Sequence, residues 1–150
     1  MTFIVRYRKL ITSYTIIELH QPESENGEPL TTELATLADG YTYVSVPDGV
    51  ILPVQPDVIQ PEAVSLTDEL REQIKWASPH VRLINARVVE KIRERYSAND
   101  EQKYTTDLIN DRVYGESLSA TAVAKRDAYM AYRNECVAWG RGEKAALGLG

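Results

Sequence analysis

The chain has 150 residues, a net charge of −5 and 26% charged residues, a composition typical of folded soluble domains rather than disordered chains. Residues 1–64 hold nine acidic and three basic side chains, whereas residues 65–150 hold thirteen acidic and fourteen basic ones. Because phosphate neutralisation supplies most of the affinity for nucleic acids, neither half indicates a nucleic-acid surface. The single cysteine, Cys136, excludes an intrachain disulfide framework. No run of about 18 apolar residues predicts a membrane span, so we expect no membrane partner. The lone cysteine fits a reducing compartment, and the first residues lack the charge order and the cleavage site of a signal peptide, so we expect an untargeted product made in the cytoplasm.

The first 52 residues predict a small antiparallel β-rich domain. Segments 3–8 (FIVRYR) and 14–19 (YTIIEL) are rich in β-branched and aromatic residues, and the short connection KLITS predicts that they pair as a hairpin. Segment 40–49 (GYTYVSVPDG) alternates Tyr41 and Tyr43 with threonine and valine, which indicates a strand with two distinct faces. It ends in a Pro-Asp-Gly turn, across which the following Val-Ile-Leu is expected to pair back.

The middle of the chain contains one ambiguous segment and one proline-rich segment. Segment 30–40 (LTTELATLADG) spaces its leucines as a helical face does, but its two adjacent threonines weaken a helix. Residues 53–64 begin PVQPDVIQP, and three prolines in nine residues exclude a helix or a central strand. We therefore predict an extended linker over 53–64, between a β-rich domain over 1–52 and a helical domain over 65–150.

The helical domain is predicted to be a bundle of three to four helices. Serine is a favoured N-cap residue, and a serine precedes each helical pattern, at Ser65, at Ser78, at Ser97 and at either Ser117 or Ser119. Glycines at positions 140 and 142 are expected to end the last helix. The fold class is therefore α+β.

The clearest helical pattern covers residues 78–97 (SPHVRLINARVVEKIRERYS). Pro79 suits the first helical position, since its missing N–H costs nothing there. Apolar residues recur at spacings of three or four and so share one face, which carries Val81, Ile84, Val88 and Ile92. We interpret this stripe as the seam on which the C-terminal half packs.

No constellation of residues predicts catalysis or metal binding. His20 and His80 are the only histidines, and a zinc site needs three or four ligands. Cys136 shares a helical face with Tyr132 and Trp139, as a small core residue does. We therefore expect no enzyme, no cofactor and no small-molecule substrate. The candidate packing or contact residues are apolar and aromatic: Tyr41, Tyr43, Trp76, Val81, Ile84, Val88, Ile92, Tyr129, Tyr132 and Trp139. Both tryptophans extend apolar stripes, so we expect both to be buried.

Two stretches of the sequence carry a resemblance to a known class of proteins. One is DGYTYVSVPDGV (39–50) with the proline-rich segment and LTDELREQI (66–74), and the other is AKRDAYMAYRNECVAWGRGEKAALGL (124–149). In this layout of β-rich front, proline-rich connection and helical back, the chain resembles tail-fibre and tail-assembly accessory proteins of tailed bacteriophages. The resemblance implies a structural or adaptor protein of the virion, in the tail, baseplate or fibre attachment. Its partners would be other tail or fibre proteins, or copies of itself.

Two alternatives remain open at this point. Chaperones of tail-fibre assembly share the layout but are not retained in the particle, and segment 78–97 matches no motif that would decide between the two roles. A small regulatory or nucleic-acid-binding protein is suggested by the basic side chains of that segment, among them Arg87, Arg93 and Arg95. Glu90 and Glu94 interrupt the basic run, which favours a solvated helix face with internal ion pairs.

Overall fold

The computed structural model describes residues 1–115 and 117–150. The chain is α+β, as predicted, with β-strands first and helices after them. It divides into two compact units, which we call the first unit (Met1–Leu83 with Glu143–Gly150) and the second unit (Ile84–Gly142). The predicted boundaries at residues 52 and 64 do not coincide with this division.

The first unit is built on antiparallel strands. They are β1 (Phe3–Tyr7), β2 (Leu10–Ile11), β3 (Ile16–Ile17), β4 (Thr32–Thr36), β5 (Thr42–Val46) and β6 (Glu62–Val64). A four-stranded sheet has the order β4-β5-β1-β6, and β2 pairs with β3 in a separate two-stranded hairpin. In the centre of the sheet Val5 pairs with Val44 on one side and with Ala63 on the other.

The predicted pairing of segments 3–8 and 14–19 is wrong. β1 pairs with β5 and β6, whereas β3 pairs with β2, which lies within the KLITS connection. The reason lies in the burial of β1: Ile4 is buried on one face and Val5 and Tyr7 on the other. A strand buried on both faces needs neighbours on both edges and layers on both sides, which an isolated hairpin does not provide.

The structure decides one N-terminal segment that the sequence left ambiguous and overturns one prediction. The ambiguous segment 30–40 forms strand β4, with a bulge between Glu33 and Ala35, rather than a helix. Residues 50–52 form no strand, and Val50 and Leu52 instead pack against the sheet as partly buried side chains. In both places tertiary packing decided the structure, because the local pattern fits more than one conformation.

Apolar side chains cover both faces of the four-stranded sheet. One cluster contains Ile4, Leu34, Tyr43, Ile74, Val81 and Leu149, and the other contains Val5, Tyr7, Leu19, Val44, Val46 and Ile59. All five residues of β5 are buried. The sheet is therefore a central layer between two cores, and not an open surface.

The proline-rich segment packs as part of the first unit. Ile59 is buried in the second of these clusters. The Gln55 side chain accepts a hydrogen bond from the His20 N–H at 2.7 Å and donates one to the His20 carbonyl at 2.9 Å. The prolines exclude a helix and a central strand, as predicted, but they do not prevent edge strand β6 from forming at the end of the segment.

Four helices follow the strands in the described part of the chain. They are α1 (Asp68–Ala77), α2 (Pro79–Arg95), α3 (Ala98–Val113) and α4 (Ala120–Ala146). The two unit boundaries fall inside α2 and α4. Ser97 forms the predicted N-terminal cap of α3 as a reciprocal capping box with Asp100. Thr67 caps α1 in place of Ser65, and Ser119 accepts the Ala122 N–H at the start of α4.

The predicted end of the last helix at Gly140 and Gly142 is wrong. α4 continues to Ala146 and ends at Gly148, whose φ is +79°. The N–H groups of Gly148 and Leu149 donate to the carbonyls of Ala145 and Lys144, which is the Schellman arrangement of hydrogen bonds. Gly140 has another role, since a Cβ there would lie 2.5 Å from Val88 Cγ2. This glycine lets α2 and α4 approach closely.

The core of the second unit is rich in tyrosine. The rings of Tyr96 and Tyr129 meet edge to face at 5.1 Å, and those of Tyr104 and Tyr129 stack at 5.3 Å. Cys136 is buried in the same cluster, as expected for a small core residue. The buried guanidinium of Arg126 pairs with Asp111 at 2.6 Å. This ion pair and Tyr104 connect α3 to α4.

Candidate interaction surfaces

The hairpin of β2 and β3 presents apolar side chains to solvent. Residues 10–17 (LITSYTII) contain no charged side chain. Tyr14 at the tip is 99% exposed, and Ile11 and Ile16 are 68% and 58% exposed. Scattered exposed apolar residues are ordinary on protein surfaces, whereas a group of them on one short element makes that element a candidate contact surface.

Hydrogen bonds hold the tip of this hairpin in one conformation. The Thr12 N–H donates to the Thr15 carbonyl at 2.9 Å. The Thr12 hydroxyl accepts the N–H groups of Thr15 and Tyr14 at 3.1 and 3.4 Å. A side chain that satisfies the backbone of its own turn orders that turn locally. The exposed tyrosine therefore extends from an ordered turn.

The base of the hairpin is fixed to the sheet by Lys9. Its Nζ lies 3.1 Å from Glu18 Oε1 and 2.8 Å from Glu33 Oε1 on β4. Burial by itself lowers the pKa of Lys9, but hydrogen bonds to Glu33 and Glu18 outweigh it and raise the pKa above its usual value. The ammonium group is thus charged at neutral pH and bridges both elements.

A second surface feature is an open pocket beside Trp76. It has a volume of about 290 Å³ and is lined by Leu37, Ala38, Asp39, Gln73, Trp76 and Ala77. Trp76 is 87% exposed, so the predicted burial of this tryptophan is wrong. The only fully buried residue of α1 is Ile74. Two residues further along, the helix has turned through about 200°, which directs Trp76 away from the core.

The carboxylate of Asp39 is held in position at this pocket. Its Oδ1 accepts the Tyr41 N–H at 2.8 Å, and its Oδ2 accepts the Tyr43 hydroxyl at 2.8 Å. No cationic side chain of residues 1–115 and 117–150 forms an ion pair with it within 4.0 Å. Burial, followed by the Asp39 hydrogen bond, raises the pKa of Tyr43 and keeps this donor protonated.

Three of the predicted contact residues in the first unit have packing roles. Tyr43 and Val81 are buried in the sheet core. Tyr41 is partly buried, and two guanidinium groups lie over its ring, with Arg6 Cζ and Arg8 Cζ each 4.2 Å from its centroid. Neither tyrosine is therefore a free contact residue, whereas Trp76 is.

The predicted residues of the second unit lie mostly in its core. Ile84, Ile92 and Tyr129 are buried, and Val88, Tyr132 and Trp139 are partly buried. Trp139 is covered on one face by Lys91, whose Nζ is 4.9 Å from the ring centroid. The apolar stripe of α2 is thus used in packing, but Val81 belongs to the core of the first unit and not to one common seam.

The part of the chain that the structure describes contains no group of three His, Cys, Asp or Glu side chains close enough to hold a metal ion. No helix within residues 1–115 and 117–150 has the length and hydropathy needed to cross a membrane.

The sequence reasoning did not identify the β2–β3 hairpin as a contact surface. Residues 10–17 carry no charge, but runs of eight uncharged residues also occur at 40–47, 49–56 and 117–124, so the sequence alone does not single out this segment. The wrong pairing of segments 3–8 and 14–19 also treated KLITS as a connection and not as part of a separate hairpin.

Comparisons with protein-family models, with curated proteins and with solved structures find no match for this chain.

Proposed function

We propose that this chain is a non-enzymatic structural or adaptor protein of a bacteriophage virion, in the tail, baseplate or fibre attachment. It binds a neighbouring tail or fibre protein through the tip of the β2–β3 hairpin. The observation that carries the proposal is the uncharged, ordered tip with Tyr14 99% exposed between Ile11 and Ile16. The assignment to a phage tail rests on the resemblance of layout between this chain and tail accessory proteins.

Burial of the hairpin tip would contribute favourably to binding. Complete burial of a large apolar side chain contributes about 1.5–3 kcal/mol, so the three side chains, which are 58–99% exposed, offset part of the free-energy cost of association. The turn bonds of Thr12 reduce the conformational entropy that is lost on binding. Tyrosine also suits a contact centre, since its ring packs while its hydroxyl finds a polar partner.

A test of this proposal compares two double variants in purified particles. Tyr14→Ser with Ile16→Ser removes the apolar tip, and the control Val54→Ser with Ile51→Ser removes two side chains elsewhere in the first unit that are 91% and 85% exposed. Both should melt like the unchanged chain, because none of the four side chains is in a core. We expect the chain at a fixed stoichiometry in particles by quantitative mass spectrometry, and expect only the hairpin variant to be lost.

Two results would contradict the proposal. Equal incorporation of both variants would mean that the hairpin is not the contact. Absence of the unchanged chain from particles, together with its co-purification with a free fibre protein, would identify an assembly chaperone instead.

A further inference from the structure

The pocket beside Trp76 has the chemistry of a binding site for a cation. We propose that it accepts an arginine side chain from a basic segment of a partner protein, as a second docking site separate from the hairpin. The proposal does not depend on which assembly contains the chain. It rests on the aromatic ring, the fixed carboxylate and the charge of the first unit.

The lining of the pocket selects for positive charge. Its polar side chains are the carboxylate of Asp39 and the amide of Gln73, and its lining includes no cationic side chain. The Asp39 hydrogen bonds to Tyr41 and Tyr43 use two of its roughly four acceptor positions. The remaining positions can accept N–H donors, and a guanidinium supplies such donors in a planar fork.

Trp76 supplies the second element of the site. Its ring is 87% exposed, and no cation in the described parts of the chain lies over it. Tryptophan is the aromatic side chain that binds cations best, and arginine stacks on it through its flat guanidinium. The apolar walls, Leu37, Ala38 and Ala77, suit the aliphatic stem of the same side chain.

The size of the pocket and the charge around it fit a basic segment. A volume of about 290 Å³ is at the lower limit of pockets for drug-sized ligands, so one long side chain is the appropriate occupant. The first unit carries thirteen acidic and seven basic side chains. A net negative unit attracts a basic partner over a distance of about a Debye length and repels nucleic acid and anionic membranes.

The surroundings of Tyr41 show how a guanidinium packs on this side of the sheet. Arg6 Cζ and Arg8 Cζ each lie over its ring, 4.2 Å from the centroid. Arg8 approaches Gly40, where a Cβ would be 2.6 Å from its Nη1. Arg8 makes no ion pair with Asp39 within 4.0 Å among the described residues, so that carboxylate stays available for an external cation.

The experiment titrates the full chain with blocked pentapeptides that contain two arginines separated by alanines. The same peptide with citrulline, the uncharged isostere of arginine, is the matched control, and peptides with lysine or glutamate complete the series. Backbone amide shifts of Ala38 and Gln73 in two-dimensional nuclear magnetic resonance spectra report binding. We expect saturable shifts with the arginine peptide that weaken as salt is added, weaker binding of the lysine peptide and none of the others.

Two variants test the residues of the site. Trp76→Ala and Asp39→Asn should each lower the affinity for the arginine peptide about tenfold, while Val54→Ser should leave that affinity unchanged. Melting curves that match the unchanged chain would show that Asp39→Asn keeps the turn folded. Equal binding of the citrulline peptide, or no binding of the arginine peptide, would overturn the proposal. Self-association that Trp76→Ala abolishes would also overturn it, because the occupant would then be a second copy.

Discussion

Replacing either of two glycines in α4 with alanine should change the free energy of unfolding in opposite directions. Gly140 and Gly142 both lie inside the helix, where glycine is about 1 kcal/mol less favourable than alanine. A Cβ at position 142 meets no described atom within 4 Å. Gly142→Ala should therefore stabilise the second unit by about 1 kcal/mol.

The same change at position 140 meets α2. Its Cβ would lie 2.5 Å from Val88 Cγ2, closer than van der Waals contact allows. Overpacking of this kind costs about 1–3 kcal/mol. After the gain in helix propensity is subtracted, Gly140→Ala should destabilise the second unit by about 1 kcal/mol, so that the two variants differ by about 2 kcal/mol. In a double-mutant cycle, Val88→Ala should relieve part of the cost.

Urea denaturation followed by Trp139 fluorescence measures this difference. A Trp76→Phe background removes the other tryptophan, and circular dichroism checks that both probes give the same transition. We expect the free energy of unfolding to rise in Gly142→Ala and to fall in Gly140→Ala. If both variants stabilise the protein equally, α2 and α4 do not approach each other at Gly140, and the packing described for the second unit is wrong.

Three other predictions concern the ends of helices and the buried tyrosines. Leu149→Ala should destabilise the first unit by about 3 kcal/mol, because this fully buried side chain completes the sheet core, and the loss should appear in the thermal melt. Ser97→Ala should cost about 1 kcal/mol and increase amide hydrogen exchange in the first turn of α3, because the capping box with Asp100 is lost. Burial raises the pKa of Tyr7 and, together with the Asp39 hydrogen bond, that of Tyr43. Above the ordinary tyrosine pKa of about 10 the unfolded chain then loses protons that the folded chain keeps, so the urea midpoint should be lower at about pH 11 than at about pH 9.

The parts of the fold that depend on local chemistry were predictable from sequence. The α+β class, the helix at 79–95 with Pro79 in its first turn and the capping box at Ser97 each follow from signals within a few residues. The absence of helix in the proline-rich segment follows in the same way.

The features that sequence reasoning missed depend on distant contacts. Nothing local indicates that β1 is a central strand between β5 and β6, or that Ile59 packs on the sheet. Gly140 looked like a helix end because its packing partner, Val88, is 52 residues away in sequence. Trp76 is exposed although it was predicted to be buried. It lies about 200° around α1 from the buried Ile74, and the assignment of Trp76 to the apolar face of the helix did not take this angle into account.

The most direct test of the proposed function is a cross-link from the hairpin tip in assembled particles. A photoreactive phenylalanine derivative in place of Tyr14 reports whatever lies against this position, and the same derivative in place of the equally exposed Val54 is the control. We expect a single adduct from position 14 with a tail or fibre protein, recovered in purified particles and identified by mass spectrometry. No adduct at position 14, or the same adducts from both positions, would contradict the proposal that the hairpin joins this chain to its partner.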